Sequence, residues 1–398
     1  MSCKLNDVCE LIVDCPHSTE PDEGEGYPII RTPNIGVGYL DLEGVQRVSK
    51  AAYDRRNIRA VPRPNDLILA REAPAGNVGI IREGMEVCLG QRTVLIRPNA
   101  EKVSPLFLNY YLNAPKQRHA LLGNSNGATV SHVNMPIIRN LVIELPDREA
   151  QDRIADVLSA YDELIENNRR QIKLLEEAAQ RLYKEWFIDL KFPGHETTPI
   201  VDGLPEGWCK ATLSELSVLI ARGITPRYSE TSDFLVLGQR CVRGNLVDLS
   251  CARRCERKGI AEQKMLKCGD ILINSTGTGS LGRTAQVWFD PIEMTVDSHV
   301  TIVRASSPEL SSYLAQWAFA NESFIESLHT GSTGQTELPR ERVSSIRVLS
   351  PSLGALNQFN SFVSPMVGKV NMLQRSVAAA REARDRLLPK LMSGEIEV

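Results

Sequence analysis

Gly277-Thr278-Gly279-Ser280-Leu281-Gly282 follows the apolar run Ile271 to Ile273 and spells GxGxxG, the spacing of a dinucleotide-binding turn. Such a turn holds phosphates only where a helix starts directly after it, since the phosphates sit on the unpaired N–H groups of that helix's first turn. Here Arg283 to Phe289 follow, a strand-like run, so the glycines read as a β-turn whose loop ends a strand. Asp189-Leu190-Lys191 carries the Asp-x-Lys part of many nuclease sites, yet it stands alone just past a helical segment. His17, His132 and His299 have no Cys, Asp and His set beside them that would form a triad or a metal site. They read as structural or contact histidines, His17 with Ser18 and Thr19 in a turn. Nine cysteines at irregular spacings contain no CxxC pair, which argues against zinc and against a disulfide framework. There is no Asn-Pro-Pro-Tyr or Asp-Pro-Pro-Tyr run to hold an adenine, and no GxxxxGK[ST] loop for a nucleoside triphosphate. The expectation is a chain with no catalytic residue, metal or cofactor of its own.

The elements around these motifs are duplicated at an offset of about 205 to 208 residues. KLNDVCELI (4–12) falls on TLSELSVLI (212–220), and HSTEP (17–21) falls near GITPR (223–227). PNDLILA (64–70) falls on CGDILIN (268–274), each an Asp opening an apolar run. GQRTVLIRP (90–98) falls near DSHVTIVRA (297–305), and residues 126–146 resemble 333–351 in order and, to within two residues, in length. Residues 1 to about 147 and 205 to about 352 are short β-branched runs broken by Gly, Pro and Asn, with a short helix at Pro105 to Arg118 and at Pro308 to Ser327. Both read as mixed α+β domains.

A helix follows each domain. Ile154, Leu158, Tyr161, Ile165, Asn168, Ile172, Leu175, Ala179, Leu182 and Trp186 recur at alternating spacings of four and three, a heptad seam. Phe359, Val363, Met366, Val370, Leu373, Val377, Ala380, Arg384, Leu387 and Leu391 repeat it, each 205 residues after its counterpart. Asn168, and Arg384 with it, is the kind of polar seam residue that fixes register. Pro365 lies inside the second seam and is expected to kink or delay that helix. The first helix ends at Phe192-Pro193-Gly194, so a second helix packing back along it would be antiparallel, with a domain at each end. About 36 residues at roughly 1.5 Å each make a spacer of ~54 Å, the length of ~16 base pairs. The expected fold is α+β: a tandem duplication of one α+β domain, each copy followed by a long helix, the two helices pairing as an antiparallel coiled coil.

The composition, 42% hydrophobic and 24% charged, is that of a globular chain rather than a disordered one. No apolar run reaches the roughly 18 residues of a membrane span. MSCKLNDVCE holds no apolar signal core, and the expected location is the cytoplasm. The formal net charge of −3 hides an uneven distribution. Glu149 to Asp189 holds ten acidic and six basic residues, whereas Arg31 to Arg71 holds eight basic against four acidic and Arg240 to Lys267 eight against three. Basic clusters on the domains, away from the acidic helix, suit a nucleic-acid partner as well as they suit solvated loops.

The duplicated domains and helices, with HST and GITP near the domain starts and the closing runs RLYKEWFIDLKFPG (181–194) and RDRLLPKLMSGEIEV (384–398), resemble the specificity subunit of type I restriction-modification systems over essentially the whole chain. The resemblance implies target recognition domains at 1–147 and 193–352, each reading one part of a split double-stranded DNA sequence, and spacer helices at 148–192 and 353–398. It implies two copies of an adenine N6 methyltransferase subunit, which uses S-adenosylmethionine, bound to the paired helices, and ATP-dependent restriction subunits joining them. The chain itself would be a noncatalytic adaptor.

Base reading needs bidentate Arg, Asn or Gln, with hydroxyls and further cations on phosphates. The residues of those types in loops at matching places are Arg31, Asn34, Arg71, Asn124, Asn126 and Thr129 in the first copy, and Arg240, Arg243, Asn274, Thr276, Thr333 and Gln335 in the second. Two other readings remain open from the residues alone. A single-chain methyltransferase or nuclease with a recognition repeat would need a complete catalytic motif, and a structural coiled-coil scaffold whose end domains bind proteins would show no sequence preference on DNA and little salt dependence.

Overall fold

The computed structural model describes residues 2–123, 132–277, 279–331 and 336–398. They fall into two units, residues 1–166 with 378–398, and residues 167–377.

In the first unit an antiparallel sheet runs Cys9–Asp14, Thr93–Pro98, Leu67–Ala70, Val78–Ile80 in spatial order. A second sheet places Tyr27–Ile30 between Arg47–Val48 and Cys88–Leu89, the last pair parallel. Ser2–Lys4 closes on Val142–Glu144. The second unit repeats every step. Ser217–Arg222, Val300–Ala305, Ile271–Asn274 and Thr284–Gln286 form its four-stranded sheet. Arg253–Arg254, Leu235–Leu237 and Met294–Val296 form the second sheet, and Cys209–Thr212 closes on Arg347–Ser350. Even the register irregularity on the first strand recurs, at Cys9/Leu11 and at Ser217/Leu219.

The Asp that opens each central strand has a structural cause. Arg97 donates through Nε and Nη2 to Asp66 at 2.8 and 2.7 Å, and Arg304 meets Asp270 in the same fork at 2.7 and 2.7 Å. Both carboxylates are buried. Each also accepts the N–H of the residue three before it, Arg63 or Lys267, and so shapes the turn into the strand.

Each short helix foreseen from the sequence is two. Pro115 starts a new helix at Pro115–Leu122 after Pro105–Asn113, because its ring cannot donate the next N–H. In the second copy Asn321 separates Pro308–Ala320 from Glu322–Ser327.

The long helices are Arg148–Tyr183, continued by the π-turn Lys184–Ile188, and Leu353–Ser393. Within the first unit Ile154, Ala155 and Leu158 share a core with Leu388 and Leu391, and Asp162 accepts from Arg384 at 2.5 Å. Within the second unit Asn168 donates to Ser376 Oγ at 2.9 Å, while Trp186 lies 5.9 Å from Phe359. In each unit later residues of one helix meet earlier residues of the other, so the pairing is antiparallel. Every seam position from Ile154 to Trp186 and from Phe359 to Leu391 is buried or half-buried. The π-turn adds one residue to the helical repeat and brings Tyr183 and Phe187 inward as well, which the heptad pattern omits.

Pro365 does not delay the helix, which runs unbroken from Leu353 to Ser393. Pro365 and Ser361, whose carbonyl loses its N–H donor, both lie on the exposed face, so the missing bond is not lost inside the core. Packing of Val363 and Met366 holds the segment helical.

In the second unit Glu176 borders a cavity of about 20 Å³, room for one water, with Leu175, Ala179, Phe319, Met366 and Val370. Its Oε1 has no hydrogen-bond partner among the described residues, and burial pushes the carboxyl up from 4.5 to about 7. The folded chain therefore holds this proton where the unfolded chain releases it. The stability contributed by Glu176 is fullest below about pH 4.5, falls as pH rises towards about 7, and levels off above it. The fall is on the order of 2–3 kcal/mol. Glu176→Gln is expected to abolish that part of the slope and to raise stability at pH 8, read by denaturant titration across pH 4 to 8. An unchanged slope would contradict it.

Candidate nucleic-acid interface

The antiparallel register of each four-stranded sheet gathers the loops at one end. In the first unit these are the chain after Asp14, the turn before Thr93, the loop from Arg71 to Asn77, and the chain at His132 and Val133. The 3₁₀ turn Thr32–Asn34 is stitched to them by the Thr32 hydroxyl, which donates to the Ala73 carbonyl at 3.1 Å. In the second unit the turn Gln239–Cys241 is stitched in the same way, Gln239 Nε2 donating to the Thr276 carbonyl at 2.7 Å.

The three glycines of the GxGxxG run take positive φ, 96° at Gly277, 74° at Gly279 and 82° at Gly282. At Gly282 a side chain would also strike the backbone of Glu326. The glycines serve the connection between antiparallel strands, Ile271–Asn274 and Thr284–Gln286, and a strand rather than a helix follows them.

Several of the sequence candidates keep exposed or half-buried side chains. Arg31 is exposed, and its guanidinium makes no hydrogen bond or ion pair among the described residues. Asn34 is half-buried and accepts the Arg31 N–H at 3.1 Å. Arg240 is exposed, and its guanidinium makes no hydrogen bond or ion pair among the described residues. Thr276 is half-buried, its hydroxyl 2.9 Å from His299 Nδ1. Arg243 is exposed but set apart, on the hairpin Val242–Arg243 with Leu246–Val247 beside Thr284–Gln286.

Two candidates are corrected. Arg71 is buried, with its guanidinium on the Val133 carbonyl at 2.8 Å, on Asp14 at 2.6 Å and 2.8 Å from His132 Nε2. Asn274 is fully buried, and its amide donates to the Gln239 carbonyl at 3.1 Å. Neither is available for a base edge, because each already satisfies the sheet end. Asn124, Asn126, Thr129, Thr333 and Gln335 lie outside the described residues.

Sequence reasoning passed over Arg283, next to the glycine turn, and Arg227, whose carbonyl accepts the Glu256 N–H; neither guanidinium makes a hydrogen bond or ion pair among the described residues. Their signals were present, Arg227 closing GITPR and Arg283 following the glycine turn. It also passed over Arg253, whose guanidinium stacks 3.4 Å over the exposed ring of Tyr228.

The two loop ends differ in charge balance. In the first unit Glu72 pairs with Arg92 at 2.9 Å and lies 2.8 Å from His132 Nδ1, while Asp14 serves Arg71. In the second unit no carboxylate lies within ion-pair distance of Arg240 or Arg283 among the described residues, and burial raises the Asp297 carboxyl above the usual range against the His299 N–H donated to it. Among the described residues no group of three or more His, Cys, Asp or Glu could hold a metal ion. Asp189 pairs with Lys184 at 2.7 Å.

Residues 1–177 match the family model described as type I restriction modification DNA specificity domain. The chain is 26% identical to the type I restriction enzyme MjaIX specificity subunit of Methanocaldococcus jannaschii, covering 99% of this chain and 93% of that one. It is 28% identical to the EcoBI specificity subunit of Escherichia coli over 148 residues, 36% of this chain and 31% of that relative. A solved S subunit of a type I restriction-modification system from M. genitalium shares the fold at a TM-score of 0.60 with 14% identity, covering 98% of this chain and 95% of that one. With the duplicated topology and the paired helices already in hand, residues 1–177 carry the type I restriction modification DNA specificity domain, and over nearly its whole length the chain is similar to a type I restriction enzyme specificity subunit.

Proposed function

We propose that the chain reads a two-part double-stranded DNA sequence, one part with each unit, and addresses partner enzymes to it while making and breaking no covalent bond itself. The observation that carries the reading is the duplicated loop end, built twice on the same strands and bearing unpaired cations. Residues 1–147 and 193–352 serve as the two target recognition domains, and 148–192 and 353–398 as the spacer. The partners are two copies of an adenine N6 methyltransferase subunit, which brings S-adenosylmethionine, and ATP-dependent restriction subunits. Apolar side chains left exposed on the long helices outside the seam, Leu174, Phe362 and Met372 in the second unit and Leu164 in the first, suit protein docking there. Among the described residues no helix is long and apolar enough to cross a membrane, and the proposed location is the cytoplasm.

Arg31, Asn34, Arg240 and Thr276 are the proposed base or phosphate contacts among the described residues, with Arg227 and Arg283 on phosphates. Affinity for duplex DNA should fall steeply with salt, because each phosphate contact releases counterions. Arg240→Ala or Arg227→Ala is expected to lower the log–log salt slope by about one. Fluorescence anisotropy of a labelled duplex, titrated with the assembled complex at several salt concentrations, measures it. A slope unmoved by both replacements would remove these arginines from the interface, and affinity indifferent to salt would count against DNA reading altogether.

A further inference from the structure

The two units perform one task with transposed charges. In each, the N–H of the residue where the chain returns to the sheet end donates to the carbonyl just past the central strand, Val133 to Arg71 at 3.0 Å and Leu338 to Ser275 at 2.8 Å. In each, an arginine also donates to the carbonyl of that returning residue. In the first unit it is Arg71, just past Leu67–Ala70, at 2.8 Å, with its counter-charge Asp14 at the end of the neighbouring Cys9–Asp14. In the second unit the position equivalent to Asp14 is itself the arginine, Arg222, the last residue of Ser217–Arg222. It donates to the Leu338 carbonyl at 2.7 Å and pairs with Glu337 at 2.9 Å, while Ser275 occupies the place of Arg71. The equivalence is fixed by register: Asp14 faces Val94 where Arg222 faces Thr301, and Arg71 and Ser275 donate their N–H groups to the Arg92 and His299 carbonyls.

We infer that Arg71 and Arg222 are positioning residues for sequence reading, each clamping the returning chain at Val133 or Leu338 to the strand end from which its unit's contact loops spring. Each clamp is reached from a different strand and answered by a different carboxylate, so each acts on its own unit. The clamped strand ends also carry Ala73 and Thr276, whose carbonyls hold the 3₁₀ turns bearing Asn34 and Arg240. Loosening a clamp therefore frees one set of contact groups.

This rests on the reading that each unit takes one half of a split target, and the test separates the two. The full chain is expressed with its methyltransferase partner, and methylated adenines are mapped across the genome. A wild-type map without a split motif would sink the underlying reading. Given a split motif, Arg71→Ala is expected to leave one half intact and relax the other, so that sites mismatched there gain methylation at least tenfold. Arg222→Ala is expected to relax the opposite half. Arg71→Lys keeps the charge beside Asp14 without the guanidinium fork, and is expected to relax the same half as Arg71→Ala. Asp14→Arg, Arg71→Ser, Glu72→Thr and His132→Glu together copy Arg222, Ser275, Thr276 and Glu337 into the first unit, and are expected to restore the half that Arg71→Ala relaxes. Full specificity in both alanine variants overturns the inference. So does a loss of all methylation in Arg71→Ala that the transplanted set fails to reverse.

Discussion

Phe359→Ala is expected to destabilise the second unit by about 3–5 kcal/mol, the range for removing a fully buried aromatic ring. Phe359 has no exposed surface, and its ring lies 4.9 Å from Phe187 and 5.9 Å from Trp186. Phe187 in turn stacks edge-on at 4.7 Å to Tyr313, which is fully buried and donates to the Leu349 carbonyl at 2.7 Å. The cluster joins both long helices to the helix Pro308–Ala320 of the same unit, so its neighbours cannot close on a hole without moving a helix. Phe362, one helical turn on and half in solvent, is the control, with a loss within about 1 kcal/mol for its alanine variant. Guanidinium denaturation followed by tryptophan fluorescence checks both, since Trp186 lies against both rings. Equal losses for the two variants would contradict the packing described.

Arg304→Ala is expected to cost a comparable 3–5 kcal/mol by a different route. It leaves Asp270, 1% exposed, as a carboxylate without its partner in a site closed to water. The ion pair itself is not the source of that figure, because the desolvation of both charges offsets much of their attraction. Replacing both together, Asp270→Leu with Arg304→Met, is therefore expected to cost far less than Arg304→Ala alone. The same cycle on Asp66 and Arg97 should give the same sign, as the fork is repeated there. Thermal denaturation of the four variants of each pair decides it. A double variant no better than the arginine deletion would mean that the carboxylate's turn-shaping bonds to Arg63 or Lys267 dominate.

Much of the architecture was legible because duplication leaves matched marks. The Asp before each apolar run was visible as a repeated letter, and the structure supplies its reason in the Arg97 and Arg304 forks. The seam was legible because a heptad pattern reports which helix face is covered. Pro365 does not delay the second helix, because the Ser361 carbonyl that loses its donor lies on the exposed face. The π-turn at Lys184–Ile188 was hidden, as nothing in Trp186-Phe187 tells that both rings turn inward.

The contact residues were harder to read for one physical cause. An Arg or Asn beside a strand end serves the fold or a ligand with the same hydrogen bonds, and burial alone decides which. Arg71 and Asn274 are spent internally, while Arg31 and Arg240 are not. The transposition of the clamp arginine from one strand to the next also hid the kinship of Arg71 and Arg222, since alignment sets Asp14 against Arg222 and Arg71 against Ser275.

The most direct test of the central claim is single-molecule sequencing of methyladenine in genomic DNA from cells with and without this chain, the partner methyltransferase being present in both. Two-part recognition predicts one split motif of fixed gap, methylated when the chain is present and unmethylated when it is absent. An identical methylation pattern in the two strains, with the methyltransferase shown to be expressed and bound to the chain, would contradict it.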